Sequence, residues 1–226
     1  DEVVRRQATS QILLVGIDGI DGAGKSTFAD ELALRLADRE VHTVRASIDS
    51  FHRPRAERWA RGRHSPAGFY LDSHDLEAMR SKLLEPFRAG EGREYRTGWF
   101  DVDGDRPAPT GSIVGRTAQV LVVDGIFIQR PELWEYWDVV VYLDGRHRVE
   151  QGRLARLLAE RPDDPDGATE FTWAAARAIH RSSSAMDWYD ALADPESNAT
   201  FVIDNNDLAA PTIRSTPAGR VGPEPG

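Results

Sequence analysis

Gly19-Ile20-Asp21-Gly22-Ala23-Gly24-Lys25-Ser26-Thr27 decides how this chain is read. An apolar run, Ile12-Leu13-Leu14-Val15-Gly16-Ile17, precedes it, and a helical pattern follows. The spacing G-x-x-x-x-G-K-[ST] between a strand and a helix is that of a phosphate-cradling loop, the Walker A or P-loop motif. Its glycines let the backbone curl until several N–H groups face one phosphate chain. The helix that starts near Ser26 adds its positive dipole end and free N–H donors. Lys25 is expected to reach the β- and γ-phosphates, and the Ser26 hydroxyl to ligate Mg²⁺. As a loop lysine, Lys25 is expected to carry little packing. Gly19, Asp21, Gly22, Ala23, Gly24, Lys25, Ser26 and Thr27 thus make up the expected site for ATP or GTP.

The composition narrows what surrounds that loop. With 226 residues, 40% hydrophobic and 29% charged, the chain suits one soluble globular domain with a sizeable core. A net charge of −9 argues against a nucleic-acid-binding surface, which needs a dominant basic patch. Cysteine is absent, which excludes disulfides, thiolate metal sites and a cysteine nucleophile. No apolar run approaches the roughly 18 residues of a membrane span. Asp1-Glu2-Val3-Val4-Arg5-Arg6 does not read as a signal peptide, so the cytoplasm is the default compartment. Only Lys25 and Lys82 are lysines among 28 basic residues. The six histidines show no metal-ligand spacing along the chain.

Outward from the loop, apolar strands alternate with helical patterns, and that alternation predicts a three-layer α/β sandwich around a mostly parallel sheet. Strands are expected at 11–17, 41–48, 94–102, 118–125, 137–143 and 201–204. Helices are expected at 26–39, 72–88, 146–159 and 169–192, with a short helical lead-in at 1–10. The arginine-rich connection 53–68 is too long for a turn, and such loops are usually functional. A mobile lid is expected near 153–170, inside one domain spanning 1–207. The tail from 208 to 226 is rich in Pro, Gly and Arg and is expected to be loosely ordered.

Ligands of such a sheet gather at the carboxyl ends of its strands, and two acids fall there. Asp124 ends the apolar strand Val120-Leu121-Val122-Val123 and fits the Walker-B position, where a carboxylate holds Mg²⁺. Asp49 ends the second strand and is placed to accept a proton from an attacking hydroxyl. Phe51, Phe69, Tyr70 and Trp99 are candidates to stack on a nucleobase, and His52 and His74 flank the expected acceptor site.

Four segments together resemble the uridine kinase family of P-loop kinases: Gly-Ala-Gly-Lys-Ser-Thr at 22–27, Ser47-Ile48-Asp49-Ser50-Phe51-His52-Arg53, Phe69-Tyr70-Leu71-Asp72-Ser73-His74-Asp75 and Val123-Asp124-Gly125-Ile126. Their order and spacing match over roughly 11–207. The wider group includes phosphoribulokinase, pantothenate kinase and sugar kinases. The resemblance implies that Asp49 is the general base and lies near the metal that Ser26 and Asp124 hold. It implies that Asp72 binds sugar hydroxyls, and that Tyr95 and Arg96 bind the acceptor from a small hairpin. Arg153 and Arg156 fall where lid arginines grip phosphates, Arg156 as a catalytic group. Asn205 and Asn206 fall in the loop that borders the nucleotide base. The chain departs from the family at His52, where Tyr is usual, and at Asp124, where Glu is usual. The lid lacks the usual Arg-Asp…Arg-Gly signature, and Arg61-Gly62-Arg63 looks more like pantothenate and sugar kinases.

The resemblance implies transfer of the NTP γ-phosphoryl to a primary hydroxyl, most directly the 5′-OH of uridine or cytidine, with Mg²⁺. Pantothenate or a sugar-like alcohol is the alternative acceptor. A regulatory NTP-binding protein without an acceptor is the alternative of a different class. A homo-oligomer is open.

Overall fold

The computed structural model describes residues 1–109, 111–116, 119–159 and 165–215. In chain order the elements are α1 (Glu2–Thr9), β1 (Ile12–Gly19), α2 (Lys25–Ala37), β2 (Thr43–Ser47), α3 (Arg55–Arg58), α4 (Pro66–Leu71), α5 (Leu76–Met79) and α6 (Glu85–Ala89). Four two-residue strands follow: β3 (Glu94–Tyr95), β4 (Phe100–Asp101), β5 (Arg106–Pro107) and β6 (Ile113–Val114). The chain then builds β7 (Gln119–Asp124), β8 (Val139–Asp144), α7 (Arg146–Ala159), α8 (Pro165–Ala193), α9 (Pro195–Asn198), β9 (Phe201–Asp204) and β10 (Thr212–Ser215).

One sheet runs in the order β10-β9-β8-β1-β7-β2. Its strands are parallel except β10, which is antiparallel to β9. Side chains alternate across a strand, so β1 feeds two cores. Leu13, Val15 and Ile17 pack with Leu36 of α2 and Tyr189 of α8 on one face. Leu14 packs with Met79, Leu83 and Phe87 on the other. Helices therefore cover both faces, the three-layer α/β arrangement of a P-loop protein. This explains why β7 is buried along its whole length, as a strand covered on both sides must be. Each fully buried side chain such as Phe87 contributes roughly 1.5–3 kcal/mol against chain entropy.

The helix expected at 72–88 differs in both start and form. Asp72 caps the end of α4, and helix resumes only after Asp75, whose side chain accepts from Ala78 N at 2.9 Å. Between α5 and α6, Arg80–Leu84 forms a π-turn. Pro86 is the cause. It has no N–H to give the Lys82 carbonyl four residues back. That carbonyl instead accepts from the backbone N–H of Arg96 at 2.8 Å.

Other expectations shift as well. The strand expected at 94–102 splits into β3 and β4, which pair with β6 and β5 outside the main sheet. The second strand stops at Ser47 because Ile48–Phe51 winds into a 3₁₀ turn, with Ser47 Oγ accepting from Asp49 N at 3.3 Å. The tail contributes β10 rather than loose chain over Thr212–Ser215. Composition hid this, because the pairing depends on the open edge of β9 and on Arg214, which meets Asp144, Asp204 and Glu196. Of the expected lid, 160–164 lies outside the described residues, and so does the tail beyond Ser215. Among the described residues no helix is long and apolar enough to cross a membrane.

Candidate active site

The loop between β1 and α2 closes on itself. Gly24 stands at φ +94° as the cap of α2, a conformation L side chains rarely adopt, and a Cβ there would meet Asn205 Nδ2 at 3.1 Å. Lys25 is only 8% exposed, and its Nζ donates to the Ile20 carbonyl at 2.8 Å. The expectation of a loosely packed loop lysine is thus corrected, because α2 begins at Lys25 and draws its stem inward. Burial pulls the ammonium pKa down, while Asp21, Asp18, Asp49 and Asp124 oppose that pull. Beneath the loop, the fully buried Asp18 accepts from Gly19 N and Gln129 Nε2 at 2.8 and 2.9 Å, and also from the Tyr189 hydroxyl. These bonds tie the start of the loop to α8.

Asp124 ends β7, level with Ile17 of β1 and Ser47 of β2. Its Oδ2 accepts from Ser26 Oγ at 2.7 Å. Its Oδ1 accepts from Arg45 Nη2 at 2.8 Å. Gly125 follows because a Cβ there would lie 2.1 Å from Ile48 Cγ2. A hydroxyl and a carboxylate in contact are hard oxygen donors of the kind Mg²⁺ takes, so the pair fits that ion. The expected effect of Asp124→Asn is a strongly raised Mg²⁺ requirement for turnover. An unchanged Mg²⁺ titration would return Asp124 to a purely structural partner of Arg45.

Asp49 sits in the 3₁₀ turn after β2 with its side chain 67% exposed. His74 Nε2 lies 3.6 Å from Asp49 Oδ1 and is buried with no hydrogen-bond partner. His52 Nδ1 donates to the Asp49 carbonyl at 2.7 Å, and the His52 and His74 rings lie 4.5 Å apart between centroids, tilted by 54°. A backbone bridge between His52 and His74 brings them together. Sequence spacing missed this, since the residues meet only through folding. Ligand atoms of Asp49, His52 and His74 lie within 4.8 Å of one another, a set with the chemistry to hold a metal ion.

Burial pushes His74 down from 6.5 to about 4, with Asp49 pulling the other way, so the ring is neutral at pH 7. The unfolded chain protonates this ring near 6.5 and the folded chain only near about 4, so acid favours unfolding. The corresponding stability is complete above pH 6.5, is lost as pH falls towards about 4, and amounts to roughly 3 kcal/mol. Denaturant midpoints at several pH values should show a smaller acid loss in His74→Asn than in the parent. Equal slopes would mean that His74 titrates normally.

Two arms reach the loop from outside. Asn205 Nδ2 donates to the Ala23 carbonyl at 2.8 Å, and Arg148 Nη2 to the Gly22 carbonyl at 3.1 Å. Asn206 Oδ1 accepts from Arg148 N at 3.1 Å. Arg153 Nη2 lies 3.5 Å from the Asp21 carbonyl and lines a cavity of about 350 Å³ with Asp21, Phe69 and Ile126. Arg156 is exposed further along α7. A cavity of about 520 Å³ joins Gly22, Lys25, Ser26 and Asp124 to Asp49 and His52.

This geometry agrees with comparison against known proteins. The family model described as Phosphoribulokinase / Uridine kinase family matches residues 14–181. The chain belongs to that family. This kinase matches no curated protein by sequence. A solved structure from Bacillus stearothermophilus, named as a possible uridine kinase, shares 21% identity, with 89% of this chain and 99% of that one covered at a TM-score of 0.64. A protein from Silicibacter sp. TM1040, named as a candidate fructose transport system kinase, shares 21% identity, with 85% and 92% covered at 0.62. D-glycerate 3-kinase from Cryptococcus neoformans var. grubii shares 13% identity, with 94% and 95% covered at 0.55. At these identities the likeness is one of fold.

Several residues expected to read the acceptor lie elsewhere in the kinase. Phe51 is fully buried in the second core. Tyr70 is 5% exposed, edge-on to Phe127 and beneath the Arg130 guanidinium. Tyr95 is 1% exposed and packs on Phe87. Expected to face an acceptor, these three instead pack in the cores, and of the aromatic residues expected to stack on a base Phe69 stands in the cleft wall. Arg96 serves through its backbone, as described for the π-turn. Asp72 pairs with Arg61 at 2.9 Å and is not in the cleft wall. The family member also uses residues the sequence did not mark. Arg45 binds Asp124, and Arg181 joins the cleft from α8. Alternation along β2 sets the face Arg45 lies on, but only the pairing of β2 with β7 brings it to Asp124.

Proposed function

We propose that this kinase moves the γ-phosphoryl of ATP or GTP to a hydroxyl of a small molecule, with Asp49 as the general base. The observation that carries the reading is the single cavity shared by the phosphate loop, Asp124, Asp49 and His52. The loop amides and Lys25 hold the phosphates, with Asn205 and Asn206 bordering the nucleotide. Ser26 and Asp124, with Asp49 nearby, hold Mg²⁺, which neutralises phosphate charge when bound. Asp49 accepts the acceptor's hydroxyl proton, and the oxygen forms its bond to the γ-phosphorus. The bond to the β–γ bridging oxygen breaks, and the nucleoside diphosphate leaves with those electrons. Lys25 and the arginines of α7, Arg153 and Arg156, meet the charge of the transferring group.

For the acceptor, resemblance names the 5′-OH of uridine or cytidine first. A specific observation favours the second reading, a sugar-like or acidic alcohol such as pantothenate. Of the aromatic residues expected to stack on a base, Phe51 and Tyr70 are core residues and Phe69 alone is in the cleft wall, and Tyr95, expected to bind the acceptor, is also in the core. Two of the similar folds also carry names that refer to fructose and glycerate. The test is release of nucleoside diphosphate from Mg·ATP and Mg·GTP with uridine, cytidine, pantothenate, fructose and D-glycerate. Turnover of a nucleoside alone restores the first reading. Acceptor-independent hydrolysis alone removes the kinase reading and leaves the regulatory NTP-binding protein.

A further inference from the structure

We propose that Arg58, Arg63 and Arg181 form an oxyanion pocket that receives the carboxylate or phosphate of an anionic acceptor beside the phosphoryl-transfer cleft. The inference rests on the kinase reading and narrows its substrate class. A cavity of about 90 Å³ has Arg58, Arg63, Arg181, His52, Trp59 and Ser73 in its walls. At about 30 Å³ per liquid water, that is room for a few heavy atoms and suits a carboxylate or a phosphate. His52, Phe69 and Arg181 line both this cavity and the larger cleft, so the two are contiguous.

Three guanidinium groups converge here, and among the described residues the carboxylate ion-paired with one of them is Asp105, 3.6 Å from Arg58 Nη2. Both Arg58 Nε and Arg181 Nε are buried with no hydrogen-bond partner. Buried donors are almost always satisfied, so two orphaned guanidinium donors at one cavity point to an acceptor atom from a ligand. The arginines are also held in place. Arg181 Nη1 donates to the Arg63 carbonyl at 3.2 Å, and its Cζ lies 4.5 Å from the Phe69 ring centroid. Arg63 Cζ lies 5.2 Å from the Trp59 ring. Burial, and then the neighbouring Arg63, pull the Arg181 pKa down, with Asp21 opposing and Arg58 adding to the pull. An anion between the guanidinium groups removes that repulsion and matches their planar forks.

Position assigns the anion to the acceptor rather than to the nucleotide. The nucleotide phosphates have the loop amides and Lys25, with Arg148 and Arg153 on the α7 side. Arg58 and Arg63 come instead from the connection after Asp49, on the side of the proposed base, and His52 stands between the two cavities.

Matched acceptors that differ only by the anion test the pocket: glycerol against D-glycerate, and fructose against fructose 1-phosphate. With Mg·ATP, kcat/KM should favour one anionic member over its neutral partner by about 100-fold or more, and the pair that responds tells carboxylate from phosphate. Arg58→Gln, Arg181→Gln and the exposed Arg63→Gln should each cut that preference by roughly tenfold while KM for ATP stays within about twofold. In parallel, thermal unfolding is followed with inorganic phosphate or acetate while a non-hydrolysable Mg·ATP analogue fills the loop. Saturable stabilisation that is lost in Arg63→Gln supports the pocket even if the two more buried variants fold poorly. No stabilisation by either anion, or turnover of neutral acceptors untouched by the three variants, overturns it while leaving the kinase reading intact. Arginine-dependent anion binding without transfer to any acceptor would keep the pocket and remove the kinase reading.

Discussion

Asp49→Asn is expected to lower kcat by ~10²–10⁴ with little change in the affinity for the nucleotide. Asparagine is nearly isosteric, so the 3₁₀ turn and its bond from Asp49 N to Ser47 Oγ are retained. What is lost is a carboxylate able to take the hydroxyl proton. The neighbouring His74 holds the Asp49 carboxyl below the usual carboxylate range. The group is therefore ionised and ready as a base throughout neutral pH. The measurement is kcat and both KM values with the best acceptor from the screen. A variant as fast as the parent would return Asp49 to a turn residue, and the proton would have to leave by another route.

Lys25→Ala should reduce turnover by at least ~10²–10³, the scale seen when one preorganised donor to a developing oxyanion is removed. The side chain lies in the bend of the loop, with Nζ on the Ile20 carbonyl and the charges of Asp21, Asp18, Asp49 and Asp124 around it. No neighbouring cation in the loop replaces it. Because Lys25 is buried, a fold check by circular dichroism and a thermal midpoint belongs beside the rate measurement, with Lys25→Met keeping the aliphatic stem. Equal rates for folded Lys25→Met and parent at saturating Mg·ATP would sink the assignment of the phosphate loop.

The phosphate loop, the alternation of strands and helices and the acid after Val123 were all legible in the chain, because each depends on neighbours in sequence. A strand, a glycine turn and a helix start within a few residues determine where amide donors point. Apolar runs on both faces, as in Val120-Leu121-Val122-Val123, signal a covered parallel strand without any partner being known. The place of Asp124 at the end of that strand was legible for the same reason.

Tertiary structure alone decided what stands around that centre. The sheet order puts β7 between β1 and β2, and this pairing delivers Arg45 to Asp124. Burial drew Phe51, Tyr70 and Tyr95 into the cores, which gain more from aromatic area than an open cleft does. Long-range contacts joined His52 to His74, and Arg181 to Arg63 across 118 positions of chain. Local sequence specifies the phosphate loop because its geometry is written in backbone torsions. The acceptor side is built from side chains on separate elements, and their meeting depends on the packing of the whole fold.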